Sequence, residues 1–383
     1  MPDPMPNSMP DPMPKPDRLQ QVAAAFERQD YTSAAKLLKQ WLTIAPDDLW
    51  GQFYMGRLHE VAGRRDAADA VYRQLLRKSN HPKLVNQARQ GIERLTAYKQ
   101  AQRKAAIAAA TAKPEDAQLG VLVLEPIAPE ARTEAAKGLA AVMQLDVRNA
   151  QLVLPRRGWR VYRTGAIGEL RFYQNALIQA GVPAFCLVLA ELAEVRIFRV
   201  DYFESLAPEV KVVCRDENDS VGSLTFDWSE ISQRVEGRLP VFEQVVDLGP
   251  WGKLVHKEQT LDYIQVCDLH LPKRQCILRL CDSSYQFLQG ATVQVDYAGT
   301  AIPTQMTTRI NWNNLMQRLQ LYTKQATIMN GNAFKVFASM VLDEKALIEQ
   351  IEPYIDIFRK KETAWDAAFQ LYSTLNFVRH RQY

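Results

Sequence analysis

From Arg18 to Lys113 the apolar residues recur every three or four positions, the spacing that places them on one face of a helix. In "KLVNQARQGIERLTAYKQAQRKAAIAAATA", Leu84, Ala88, Ile92 and Leu95 form one stripe, while Lys83, Arg89, Arg94, Lys99, Arg103 and Lys104 take the other faces. The pattern predicts a helical domain over 18–113, closed by a long capping helix that runs into a linker ending at Pro114. Over 118–190 short apolar runs, "LGVLVLEPI", "NAQLVLP", "GWRVYRTG" and "PAFCLVLA", are interspersed with helical "EARTEAAKGLAAVMQ" and "ELRFYQNALIQAG", which predicts a small α/β domain of two layers. From Glu194 the period changes to two, and "EVRIFRVDYFE", "EVKVVCRDE", "VGSLTFDW", "PVFEQVVDLG", "KLVHKEQ", "LDYIQVCDLHL" and "QCILRLCDSSYQF" read as seven strands of an antiparallel β domain over 194–300. Helical spacing returns over 301–383 in "NWNNLMQRLQLYTKQA", "DEKALIEQIEPYIDIF" and "ETAWDAAFQLYSTLNFV". The fold class expected is therefore multidomain α+β.

Within the first region the chain repeats itself. Ala34, Leu38 and Pro46 recur 34 residues on as Ala68, Tyr72 and Asn80, and Gly56 and Gly63 supply the small residues of a tight helical hairpin. The alanines must be small where two helices approach closely, Tyr72 fills the adjoining gap, and Pro46 and Pro82 fall between helices, where a missing amide donor does little harm. A 34-residue period with this spacing resembles the tetratricopeptide repeat, over residues 15–82 and two repeats. Two such hairpins leave an apolar face open, which the long helix after Pro82 is placed to cover. The seven strands with a following helix resemble a pleckstrin-type barrel in number. The whole arrangement, "WRVYRTG" and "GVPAF" in particular, resembles uncharacterised cyanobacterial repeat-containing proteins, a likeness that implies no mechanism.

Charge sharpens the division. Between Arg18 and Lys113 there are 17 Lys and Arg against 8 Asp and Glu, a net +9, whereas the whole chain carries +4. Basicity thus belongs to the helical region and biases its partners towards acidic surfaces. Residues 1–17 repeat "MPDPMP" and have almost no other apolar side chain, so they are expected to form an extended, disordered arm. That arm has neither the basic start nor the apolar centre of a secretory signal, and the longest apolar run, "GVPAFCLVLA", is too short to span a bilayer; a cytoplasmic protein is expected.

Five cysteines in apolar or alternating segments suit reduced, buried thiols. Cys267, His270, Cys276 and Cys281 suggest a zinc set until the alternation of "DYIQVCDLHL" is considered, since it sends Cys267 and His270 to opposite faces, so no metal and no cofactor are expected. No nucleophile elbow, phosphate-binding loop or dinucleotide fingerprint is present, and a non-enzyme is expected. His256-x-Glu258 and Asp268-x-His270 each place a histidine and a carboxylate on one face of a strand; a hairpin turning near Thr260 would set Glu258 against Asp262 and His256 against Ile264, keeping the two pairs apart.

Two surfaces are candidates for binding. In "LPRRGWRVYRTGAIGELRFYQ", Arg156, Arg157, Arg160, Arg163 and Arg171 surround Gly165-x-x-Gly168 ahead of a helix N-terminus, a setting for an anion or for nucleic-acid backbone. In the helical region the repeat register assigns Leu19, Ala23 and Phe26, then Trp50, Phe53, Arg57 and Glu60, then Leu84, Gln87 and Arg94 to a concave docking face. Trp50 and Phe53 beside Arg57 are residue types that anchor protein interfaces. The expected function is a non-catalytic adaptor or assembly scaffold holding a protein partner with an acidic segment. The alternative is a nucleic-acid or ribosome-associated factor using the basic helices and the arginine cluster.

Overall fold

The computed structural model describes residues 15–248, 254–291, 307–355 and 363–381, so most of the expected Met/Pro arm lies outside it. The chain divides into two compact units, residues 1–107 and 108–383. None of the described helices is long and apolar enough to cross a membrane.

The first unit is built of helices α1 (Lys15–Glu27), α2 (Tyr31–Ile44), α3 (Leu49–Val61), α4 (Arg65–Lys78) and the start of α5 (Pro82–Ala110). Asp30 and Asp48 cap α2 and α3, each accepting from amides of the first turn that have no partner inside the helix. Ala34 and Ala68 are fully buried, as close helix approach requires. Tyr72 lies between two glycines: a Cβ on Gly56 would sit 2.8 Å, and one on Gly91 2.5 Å, from atoms of its ring. Only glycine at both positions lets α3 and α5 close on that ring, which joins Phe53, Leu75, Leu84, Ala88 and Leu95 in one core. A second core gathers Val22, Leu38 and Trp41, with Leu19 and Phe26 at its margin.

The second unit opens with strand β1 (Leu119–Leu124), helices α6 (Arg132–Met143) and α7 (Val147–Val153), strand β2 (Arg160–Ala166), helix α8 (Ile167–Gln179), strand β3 (Ala184–Val188) and the short α9 (Leu189–Ala193). β1 is the middle strand, antiparallel to both neighbours. Strands β4 (Arg196–Ser205), β5 (Val210–Arg215), β6 (Val221–Phe226), β7 (Gln233–Leu248), β8 (Leu254–Leu271) and β9 (Cys276–Cys281) follow, then α10 (Thr308–Tyr322), β10 (Thr327–Met329), α11 (Gly331–Val341), α12 (Lys345–Ile348) and α13 (Ala364–Arg381). The second sheet has the order β10-β7-β8-β9-β4-β5-β6.

Three expectations change here. A barrel of consecutive antiparallel strands is not what forms among the described residues: β10 runs parallel to β7 and β4 parallel to β9, and the order is open at β10 and β6. The turn near Thr260 is instead a bulge within one continuous strand, where Val241 pairs with Asp262, Phe242 pairs with Thr260, and Leu261 is left over. His256 therefore stands across from Val246, and Glu258 across from Gln244, on β7. Of the helix expected over 343–358, the described residues up to 355 hold only Lys345–Ile348, and the preceding Gly331–Val341 is helical as well.

One core serves all three segments after residue 108. Val121 and Phe185 of the small sheet, Val235 and Ile277 of the large one, and Phe334 and Phe369 of the C-terminal helices belong to it. On the other face of the large sheet α10 packs Trp312, Leu315 and Leu319 against Cys267, Leu269 and Leu278. From Asp366 to Val378 every residue of α13 is buried.

Candidate functional site

The helical face assigned to docking is partly consumed by packing. Phe53 is 3% exposed and meets Tyr72 with ring centroids 6.0 Å apart, so it is a core residue and not a partner anchor. Trp50 is half-buried, edge-on to Phe53 at 6.0 Å and to His81 at 5.9 Å, and joins the two helical cores. A large ring at those positions faces inward, because α3 is packed between its neighbours. Leu84 is core as well.

Glu60 and Arg94 hold each other. Arg94 donates through Nε to Oε1 at 2.8 Å and through Nη2 to Oε2 at 2.9 Å, and the Tyr72 hydroxyl donates to Oε2 at 2.8 Å. Burial pushes the Glu60 carboxyl up, but the hydrogen bonds from Arg94 and Tyr72 outweigh it and leave the group below its usual range. Desolvation and the same carboxylate push the Tyr72 phenol far up. This bidentate clamp ties α3, α4 and α5 together, so two residues expected to meet a partner stabilise the module instead.

Phe26 and Arg57 remain. The Arg57 guanidinium lies 5.7 Å from the centre of the Phe26 ring, within cation–π range. Its buried Nε has no hydrogen-bond partner, and neither does the buried Oε1 of Gln87, at the corresponding face of α5. Elsewhere in the unit Asp69, Glu60 and Asp66 pair with Arg73, Arg94 and Lys99.

Of the arginine-rich segment only Arg160 turns inward, while Arg163 and Arg171 are exposed but held in ion pairs. Arg160 donates to the carbonyls of Leu152 and Val153, both at 3.1 Å, and Arg132 to those of Gln151, Leu154 and Pro155, so two guanidinium groups satisfy the C-terminal carbonyls of α7. Arg163 pairs with Glu169 at 3.0 Å, 5.1 Å from the Tyr173 ring, and Arg171 with Asp116 at 3.2 Å. Gly165 is not in a loop; it pairs with Gly120 inside β2, which passes directly into α8. A Cβ on Gly168 would lie 2.0 Å from the Ala110 carbonyl oxygen, so the first turn of α8 is pressed against backbone and leaves no room there for a phosphate. Arg156 and Arg157 alone stay exposed and free of partners among the described residues.

Beneath α13 lies a polar cluster of which the sequence pattern disclosed only the Asp268 and His270 pair. Asp268 and Arg279 face each other on β8 and β9, and the guanidinium donates to both carboxylate oxygens, at 2.8 and 2.7 Å. Arg279 also donates to Gln370 Oε1 at 2.7 Å and to the Tyr354 carbonyl at 3.0 Å, while Ser373 donates to Asp268. His270 places Nε2 3.0 Å from the Ser373 hydroxyl and Nδ1 3.2 Å from Gln233. Serine, histidine and aspartate here differ from a hydrolytic relay: the carboxylate holds the serine and not the imidazole, and no substrate reaches Ser373, which is 0% exposed. Burial lowers the His270 pKa to about 4 and keeps the ring neutral. The sign of this cluster in the sequence was Asp268-x-His270 on one face of a strand; Gln370 and Ser373, which complete it from α13, carried none. Cys267, next to Asp268, points into the opposite core, away from His270.

Comparison with protein-family models, with curated proteins and with solved structures finds no match to this chain.

Proposed function

We propose that residues 15–110 are a tetratricopeptide-type docking module and that the protein acts as an adaptor, holding an acidic, extended segment of a partner protein on the face bearing Phe26, Arg57 and Gln87. One observation carries this: Arg57 Nε and Gln87 Oε1, a donor and an acceptor on two of the helices assigned to that face, are both buried without partners. Leaving such a group unpaired costs about 1–3 kcal/mol, and a peptide supplies the missing acceptor and donor once the Arg57 and Gln87 side chains turn outward to meet it. The surrounding excess of 17 cations over 8 acids favours a carboxylate-bearing segment. For nucleic acid, Arg156 and Arg157 are exposed without partners among the described residues, while the exposed Arg163 and Arg171 are already paired with Glu169 and Asp116.

Gln87→Leu tests the idea in two directions at once. It removes the unpaired acceptor, so the free protein should gain about 1 kcal/mol in urea unfolding. Affinity purification with the intact protein should lose the bound partner in both Gln87→Leu and Arg57→Glu, by tenfold or more. A Gln87→Leu protein that is less stable than wild type, or that retains its partner, would show that Oε1 is already satisfied and that this face is not the docking surface.

A further inference from the structure

A cleft of about 650 Å³ runs beside β7 in the second unit, a size that encloses a drug-sized ligand. It exists because β10 pairs with β7 only from Gln233 to Val235, after which the chain leaves the sheet at Asn330 and enters α11. From Glu236 onward the outer side of β7 has no strand beside it among the described residues, and its edge becomes a wall. Trp365, Phe242 and Tyr263 supply aromatic surface from α13, β7 and β8, and the buried Trp312 of α10 adjoins them.

The charges around this cavity do not cancel. Among the described residues its one carboxylate, Glu236, is 2.9 Å from Nη2 of Arg234, whose side chain is 5% exposed and whose Nε and Nη1 have no partner there. Glu236 is therefore neutralised from behind by a buried cation. Arg238 and Lys335 also line the cleft, and neither has a hydrogen-bond or ion-pair partner among the described residues. Two unopposed cations beside aromatic walls call for a ligand that combines a dianion with a planar ring.

We propose that this cleft binds a nucleoside phosphate, with the base against the aromatic walls and the phosphate on Arg238 and Lys335. A phosphate monoester carries a charge of about −1.5 to −2 near neutral pH and so answers both cations, whereas a carboxylate answers one. Inorganic phosphate alone would leave the aromatic surface unused.

The test uses the intact protein, with calorimetry and tryptophan fluorescence, against AMP, GMP, CMP and UMP, and with adenosine, inorganic phosphate and benzoate as controls. At least one nucleotide should bind with Kd below about 1 mM, and each control at least tenfold more weakly. The double variant Arg238→Gln with Lys335→Gln, both exposed in the fold, should melt like wild type yet bind tenfold or more weakly. Tyr263→Ala should also weaken binding, and it keeps the test open if the double variant misfolds. The proposal is overturned if no nucleotide binds in that range, if adenosine or benzoate binds as well as the best nucleotide, or if the charge variant binds like wild type.

Discussion

Acidification should unfold the second unit through His270, and the size of the effect can be worked out. Burial holds its pKa near 4, against 6.5 in an unfolded chain, with Asp268 opposing that shift and Arg279 and His380 reinforcing it. The folded state therefore refuses a proton that the unfolded state accepts, so the stability this ring contributes is complete above pH 6.5 and is lost as pH falls towards 4. Between pH 7 and pH 5 the loss amounts to about 2 kcal/mol, and by pH 4 to roughly 3 kcal/mol. Urea unfolding followed by tryptophan fluorescence is a suitable assay, because Trp159, Trp228, Trp251, Trp312 and Trp365 lie in residues 108–383 and only Trp41 and Trp50 lie in the first unit. Since carboxylates also titrate in this window, the quantity to compare is wild type against His270→Gln at each pH. The variant keeps hydrogen-bonding capacity towards Ser373 and Gln233 but cannot be protonated, so the gap between the two proteins should move by about 2 kcal/mol from pH 7 to pH 5. A gap that stays constant, or an imidazole that titrates near 6.5 in the folded protein by NMR, would refute the assignment of a buried neutral ring.

Two further outcomes follow from single contacts. Arg279→Met leaves the Asp268 carboxylate buried without its guanidinium and should cost about 3–5 kcal/mol by urea unfolding, whereas adding Asp268→Leu to it should restore most of that loss. Gly168→Ala drives a methyl against the Ala110 carbonyl and should cost about 1–3 kcal/mol, while Gly165→Ala, whose nearest neighbour would be Leu170 at 3.9 Å, should melt close to wild type.

The helical half was the more legible because its signal is local. Amphipathic spacing marks 18–113 as helical, and the described residues from Lys15 to Ala110 are built of five helices, with Asp30 and Asp48 capping two of them. Which face is buried is less local. Phe53 and Trp50 sit at the assigned positions, but whether such a ring points to solvent depends on how tightly α4 and α5 close, and that is set by Gly56 and Gly91 against Tyr72. In the β region the polar "KEQT" read as a turn, yet the strand passes through it because β7 continues alongside and a bulge at Leu261 absorbs the irregularity. Gly331–Val341 has the helical spacing Phe334, Phe337, Ala338, Val341, but it opens with glycine and asparagine, which suggest a loop; Asn330 in fact caps the helix. The cleft could not be read at all, since its walls come from residues between 236 and 365 that only the sheet order brings together.

The polar stripe on α13 shows why a buried helix would carry residues that look made for water. A helix enclosed on all sides by apolar groups gains nearly the same transfer free energy whichever way it is rotated, so hydrophobic burial holds it in place without choosing its angle. Gln370 and Ser373 remove that freedom. Rotating α13 by one residue, about 100°, would carry them away from β8 and β9 and break the bonds they make to Arg279, Asp268 and His270. Each deserted group costs about 1–3 kcal/mol, more for the charged ones, so the misplaced arrangement is penalised several times over. The ion pair at the centre adds little net stability compared with an apolar pair of the same volume. Its effect is selective: it makes one orientation of the last helix far better than its neighbours, and with it the position of Trp365, which α13 carries into the wall of the cleft.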